Sequence, residues 1–136
     1  MQHSLSPDKI EYFKDFRGTL GVLDFNELPF IPRRIYWITD ASENITRGGH
    51  AHKLLNQVFL VLTGSVAIDI FKGSEKQSFN LIAEGPILML EPGYWRSIKL
   101  LTPDSLLLVL CDREYEENDY IRDWENYLEW YRANEL

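Results

Sequence analysis

The sequence predicts an all-β protein: a sandwich or barrel of short strands with one helix at its C-terminal end. Three observations carry this expectation. Runs of β-branched, aromatic and aliphatic residues follow one another from Arg34 to Leu110 with only turns between them. Glycine and proline punctuate those runs at short intervals. Helical periodicity is confined to the final stretch of chain. Strands that succeed one another without intervening helices argue against a parallel βαβ sheet.

Taken in order, residues 17–23 suggest a first strand or hairpin, and residues 34–39 are β-branched and aromatic. Residues 57–62 and 65–71 flank Thr63-Gly64, a tight-turn signal. Residues 77–82, 86–90 and 106–110 complete the set. Turns fall at Lys72-Gly73-Ser74, Glu84-Gly85-Pro86, Glu91-Pro92-Gly93 and Thr102-Pro103-Asp104. Near the end, Asn118 or Asp119 is placed to cap a helix running from Tyr120 towards Tyr131. Ile121, Trp124, Leu128 and Tyr131 then form one apolar stripe that packs on the β-body.

Composition bounds the function classes. The chain has 136 residues, 45% hydrophobic and 26% charged, the profile of one globular domain spanning residues 1–136. No apolar run approaches the roughly 20 residues of a membrane span. The start, Met1-Gln2-His3-Ser4, lacks the basic and apolar regions of a signal peptide. Cys111 is the one cysteine, which excludes an intramolecular disulfide and a Cys-rich zinc site and fits a reducing cytoplasm. The net charge of −7 argues against nucleic-acid binding. Nine of the 21 acidic residues lie after residue 110, so the preceding body is close to neutral and able to hold a basic pocket for a small anion.

The chemistry concentrates in Arg47-Gly48-Gly49-His50-Ala51-His52-Lys53. On a strand, residues two apart share a face, so His50 and His52 project together. Imidazoles titrate near neutrality and suit proton transfer. Beside Tyr36 and Arg47 they would form a proton-shuttling site. Arg17, Arg33, Arg34, Arg47 and Arg96 offer bidentate phosphate binding. Trp37, Tyr94 and Trp95 are candidates to stack on a base or sugar.

The spacing from His50-x-His52 to Gln57 and Gly64, with Gly85 and Pro92-Gly93-Tyr94-Trp95-Arg96 later, resembles the two cupin motifs. Metal-binding cupins carry a glutamate and a third histidine where this chain has Gln57 and Arg96. A neutral amide and a cation make a poor divalent-metal site. The expectation is a cupin that uses its histidines without metal; a two-histidine metal site completed by other residues stays open.

A closer resemblance runs from about Asp15 to Tyr127. Asp15-Phe16-Arg17-Gly18-Thr19-Leu20, Leu28-Pro29-Phe30, Arg33-Arg34-Ile35-Tyr36-Trp37-Ile38, the R-G-x-H-A-H-K core and the tail Tyr115-Glu116-Glu117-Asn118-Asp119-Tyr120-Ile121-Arg122 are similar to the nucleotide-sugar 3,4-ketoisomerases. These act on dTDP-4-keto-6-deoxyglucose in deoxyamino-sugar biosynthesis, for glycans such as lipopolysaccharide or S-layer chains. The resemblance implies a cupin jelly-roll barrel, a homodimer with swapped N-terminal strands, no cofactor, and a dTDP-linked keto-deoxysugar as ligand. It implies His52 as the base, with His50 and Tyr36 bonding the sugar oxygens and Arg47 stabilising the oxyanion or diphosphate. Arg17, Arg33, Lys53, Trp95 and Arg96 form the expected substrate-binding set. Arg96 stands where other members carry histidine. Two rival readings are a 3,5-epimerase of the same sugar, disfavoured by the missing His–Asp and Lys arrangement of that family, and a non-catalytic sugar-binding cupin.

Overall fold

The computed structural model describes residues 3–7, 9–42 and 45–134. Strands follow in the order β1 (Ser4–Ser6), β2 (Ile10–Asp15), β3 (Gly18–Leu23), β4 (Arg34–Ile38), β5 (Thr46–His52) and β6 (Gln57–Thr63). Then come β7 (Ser65–Lys72), β8 (Glu75–Ile82), β9 (Ile87–Leu90), β10 (Tyr94–Leu100), β11 (Leu106–Cys111), β12 (Tyr120–Ile121) and the helix α1 (Trp124–Asn134). Two five-stranded antiparallel sheets, β1-β9-β6-β11-β4 and β12-β5-β10-β7-β8, face each other as a jelly roll.

Alternation decides which strand faces go inward. Along β7, Val66, Ile68 and Ile70 are buried and their neighbours are not; β10 repeats the pattern with Tyr94, Arg96, Ile98 and Leu100. These residues meet Phe59, Val61, Leu107 and Val109 of the opposite sheet in one core. Strand β6 is buried on both faces over Gln57–Val61, because Leu28, Ile10, Leu23 and Phe30 cover its outer side. Gly64 turns β6 into β7 at φ +76°. A side chain there would meet Ser105 Oγ at 2.5 Å and its Cα at 2.7 Å, so glycine is required.

The C-terminal segment differs from the sequence expectation. Tyr120 and Ile121 form strand β12 against His52 and Ala51, and the helix starts only at Trp124. Its cap is Asp123, whose Oδ2 accepts the Asn126 N–H at 2.9 Å. The 3-10 turn Glu117–Asp119 precedes it, and Asp119 is committed elsewhere. Trp124, Leu128 and Tyr131 do pack on the barrel with Trp95 and the buried Tyr127. Tyr127 Oη accepts the Gly73 N–H at 3.0 Å and donates towards the Gly93 and Phe71 carbonyls at 2.8 and 3.0 Å, which seats the helix.

Strands β2 and β3 pair only with each other among the described residues. Their hairpin exposes Phe13, Leu20 and Val22, with Phe16 98% exposed at the tip. Strand β4 is an edge of its sheet, with Ile35 and Trp37 exposed. Among the described residues no helix is long and apolar enough to cross a membrane.

Candidate active site

The site is built around an irregularity in β5. Arg96 pairs with His50, but Ile98 pairs with Arg47, so β5 carries one extra residue. Gly48 absorbs it at φ +76°, the left-handed position of a β-bulge. Three residues apart on a regular strand, Arg47 and His50 would face opposite ways. The bulge brings both to one pocket of about 340 Å³. Strand β4 adds Arg34, Tyr36 and Ile38 to its lining, and the tail adds Tyr120 and Arg122.

His50 lines this pocket and His52 lies behind it, 1% exposed. Their Nε2 atoms are 3.1 Å apart. His52 Nδ1 lies 2.9 Å from Asp119 Oδ2, and Asp119 Oδ1 accepts the Leu54 N–H at 2.7 Å. A carboxylate only accepts, so His52 carries its proton on Nδ1 and its Nε2 is a lone pair. His50 must then donate from Nε2, which leaves the lone pair of its own Nδ1 unshared. Burial, followed by the charges of Arg96 and Arg122, pushes His50 down to about 3. Burial, then Arg96, pushes His52 well below its ordinary range, so both imidazoles are neutral at working pH.

A second chain reaches the pocket through Tyr36. Arg96 is 1% exposed; Nε and Nη2 donate to the Tyr94 carbonyl at 3.3 and 3.2 Å, and Nη1 donates to Gln57 Oε1. Gln57 Nε2 in turn donates to Tyr36 Oη at 3.1 Å and to Cys111 Sγ at 3.4 Å. Burial pushes Arg96 down to about 10, which leaves it charged at neutral pH. Burial also raises the Tyr36 phenol, with Arg96 pulling against it.

The mouth is cationic. Arg122 stacks 4.1 Å above the Tyr120 ring and is bonded to Glu117 at 2.9 and 3.0 Å. Its Glu117 carboxyl, bonded also by Tyr115, is held down at about 2. Arg34 lies over the Tyr36 and Tyr115 rings, and its buried Nε has no protein partner.

Of the residues expected from sequence, His50, His52, Tyr36, Arg34 and Arg47 meet here, with Arg96 behind the pocket wall. The others lie apart from it. Arg17 sits at the hairpin tip, paired with Asp15 at 3.0 Å. Arg33 is exposed, its N–H given to the Cys111 carbonyl at 2.8 Å. Lys53 is exposed and its N–H donates to the Asp119 carbonyl at 3.0 Å, fixing the tail that carries the carboxylate. Trp95 points to the other side of β10 and packs edge-on against Trp124. Sequence reasoning did not assign Asp119, Gln57, Tyr120 or Arg122 to the site. Of the His–Asp and Lys arrangement expected to be missing, a His–Asp pair is present as His52 and Asp119. Among the described residues no three His, Cys, Asp or Glu side chains group as a metal site.

Fold and pocket together define a cupin-type jelly roll whose pocket gathers imidazole, phenol and guanidinium side chains. The chain belongs to the family described as FdtA: WxcM-like, C-terminal, whose model matches residues 4–132. It is 34% identical over 124 residues to TDP-4-oxo-6-deoxy-alpha-D-glucose-3,4-oxoisomerase of Aneurinibacillus thermoaerophilus, covering 88% of this chain and 89% of the relative. Its fold matches a His-to-Asn mutant of the 3,4-ketoisomerase QdtA from Thermoanaerobacterium thermosaccharolyticum, in complex with TDP-4-keto-6-deoxyglucose. That match has a TM-score of 0.91 and 32% identity, over 99% of this chain and 97% of that one. A dTDP-4-dehydrorhamnose 3,5-epimerase from Bacillus anthracis matches at 16% identity and TM-score 0.73, over 82% and 74% of the two chains, a likeness of fold alone.

Proposed function

We propose that this protein is a nucleotide-sugar 3,4-ketoisomerase that moves the ketone of TDP-4-keto-6-deoxyglucose from carbon 4 to carbon 3. The observation that carries this reading is one pocket holding a neutral imidazole with an unshared lone pair beside a phenol whose oxygen already accepts a hydrogen bond. The reaction needs a base at the carbon next to the carbonyl and an acid at its oxygen. His50 lines the pocket, so in our reading it takes the carbon-3 proton, rather than His52 behind it. Charge gained on His50 is spread through His52 to Asp119. The resulting enediolate oxygen at carbon 4 accepts the Tyr36 proton. Tyrosinate then recovers a proton from the oxygen at carbon 3, and protonated His50, after exchanging its proton with solvent, protonates carbon 4. Arg47, Arg34 and Arg122 face the diphosphate with fixed positive charge.

The unpaired hairpin β2–β3 and the open edge of β4 support the homodimer with exchanged N-terminal strands. Arg17 would then act from the partner's hairpin. We place the enzyme in the cytoplasm, where nucleotide sugars for deoxyamino-sugar glycans are made. The mass expected by light scattering is twice 16.0 kDa.

Proton NMR of the protein with TDP-4-keto-6-deoxyglucose in heavy water tests the reaction. A 3-keto product carrying deuterium at carbon 4 is expected. Deuterium at carbons 3 and 5 with the ketone still at carbon 4 would make it a 3,5-epimerase. No exchange at all would leave the sugar-binding reading.

A further inference from the structure

We infer that Gln57 is a positioning residue that sets the direction of the Tyr36 hydroxyl proton, turning it into the pocket. This rests on the reading of Tyr36 as the acid of the ketoisomerase reaction.

The argument starts from the buried guanidinium. Arginine has donors and no acceptor, so the atom of Gln57 that meets Arg96 Nη1 is the amide oxygen. The amide therefore cannot be flipped, and its NH₂ group must face Tyr36 Oη, 3.1 Å away. Tyr36 is the acceptor in that bond. Its own proton cannot point back along the same line. Among the described residues no hydrogen-bond acceptor for it is found, while Tyr36 lines the pocket. The phenol hydrogen is thus left for a ligand oxygen. Gln57 itself is fully buried at the start of β6, and both ends of its amide are engaged, so it has no freedom to rearrange. Arg96 is held in turn by two bonds to the Tyr94 carbonyl. The chain Arg96–Gln57–Tyr36 is directional: Arg96 donates to Gln57, and Gln57 donates to Tyr36.

A glutamate at position 57 reverses the last link. Its carboxylate still pairs with Arg96 but only accepts, so it draws the Tyr36 proton away from the pocket. The test is a cycle of Gln57→Glu, Tyr36→Phe and the double variant, with turnover followed by NMR and folding by thermal melting. Gln57→Glu is expected to lower kcat about 10²-fold with KM changed far less, the size of losing one oxyanion donor. In the Tyr36→Phe background the same substitution is expected to do nothing further. Equal losses in both backgrounds would overturn the inference, as would a fully active Gln57→Glu. If Gln57→Glu fails to fold, Gln57→Met serves: it frees the phenol to rotate, with a loss of about 10-fold that again vanishes without Tyr36. A separate readout is the titration of Tyr36 by ¹³Cζ-tyrosine NMR, which must move upward in Gln57→Glu. An unmoved titration rejects the role of Gln57. If wild-type protein leaves the sugar unconverted, the function falls instead, and the titration still judges Gln57 alone.

Discussion

Two hydrogen-bonded chains run from inside the barrel to the same pocket, and their buried ends carry opposite charge. One begins at the Asp119 carboxylate and passes through His52 to His50. The other begins at the Arg96 guanidinium and passes through Gln57 to Tyr36. The group facing the pocket is neutral in both cases. The anion at the far end of the first chain orders its protons so that the pocket receives a lone pair. The cation at the far end of the second orders them so that the pocket receives a hydrogen. In the proposed reaction a base and an acid thus stand side by side, each defined by a charge it does not itself carry. The cation also keeps the base neutral, since Arg96 is second only to burial in depressing both histidines.

The largest break comes at the pocket end of the first chain. His50→Asn removes the lone pair and is expected to cost about 10²–10⁴-fold in kcat, measured by NMR turnover. The melting temperature stays near wild type, because His50 is not part of the core packing. Asp119→Asn acts one step further back. The amide keeps an oxygen for the Leu54 N–H but presents no full charge to His52, so the protonated relay loses its counter-ion. A smaller loss, about 10²-fold in kcat with little change in KM, is expected. If Asp119→Asn were as active as wild type, Asp119 would be a structural tie for the tail and no part of the base.

How much of this was legible in the sequence follows from the range of the interactions. The core strands were readable because alternation is local: Val66, Ile68 and Ile70 announce the inner face of β7 without reference to any other strand. The helix start was misread for the same reason. Ile121 falls at helical spacing from Trp124, and only its pairing with Ala51, distant in sequence, makes it a strand. Asp119 looked like a cap because nothing local distinguishes a capping carboxylate from one aimed at an imidazole 67 residues away. The His50–His52 pair was visible as a period of two. Arg47 reaches the same pocket only because Gly48 inserts a bulge, and a bulge shows in the pairing register rather than in the composition. Trp95 and Arg96 were both assigned to substrate, yet adjacent strand residues face opposite ways: Arg96 enters the barrel and Trp95 meets the helix.

The two chains also respond differently to pH. His50 stays neutral in the folded state down to about 3, while in the unfolded chain it takes up a proton near 6.5. Below 6.5 the unfolded state therefore binds more protons, and folding stability falls as the pH drops. The loss is up to about 1.4 kcal/mol per pH unit for each such histidine. His52 behaves the same way. Tyr36, with its phenol raised, contributes nothing in this window and loses stability only on alkaline titration above 10. Urea unfolding at pH 6.5 and pH 5 is expected to show the slope, and His50→Asn to reduce it by about half. A slope unchanged by His50→Asn would mean that His50 is protonated in the folded protein, and the base assignment would fail with it.

The smallest expected effect lies at the mouth, where neither chain reaches. Arg122 is largely exposed and bonded to Glu117, itself exposed. An exposed pair of this kind stabilises folding by less than about 1 kcal/mol, so Arg122→Ala should leave the melting temperature almost unchanged. In the proposed function its guanidinium attracts the diphosphate, and it touches neither relay through a hydrogen bond. Binding loss without chemical loss is the consequence: KM rises by about 10-fold and kcat holds within a factor of two or three. High salt should raise the wild-type KM towards that of the variant, because screening weakens an exposed charge and leaves the buried ones untouched. A fall in kcat instead would tie Arg122 to the reacting end of the sugar. The division of labour would then run across the pocket rather than between its charged mouth and its two proton-ordered walls.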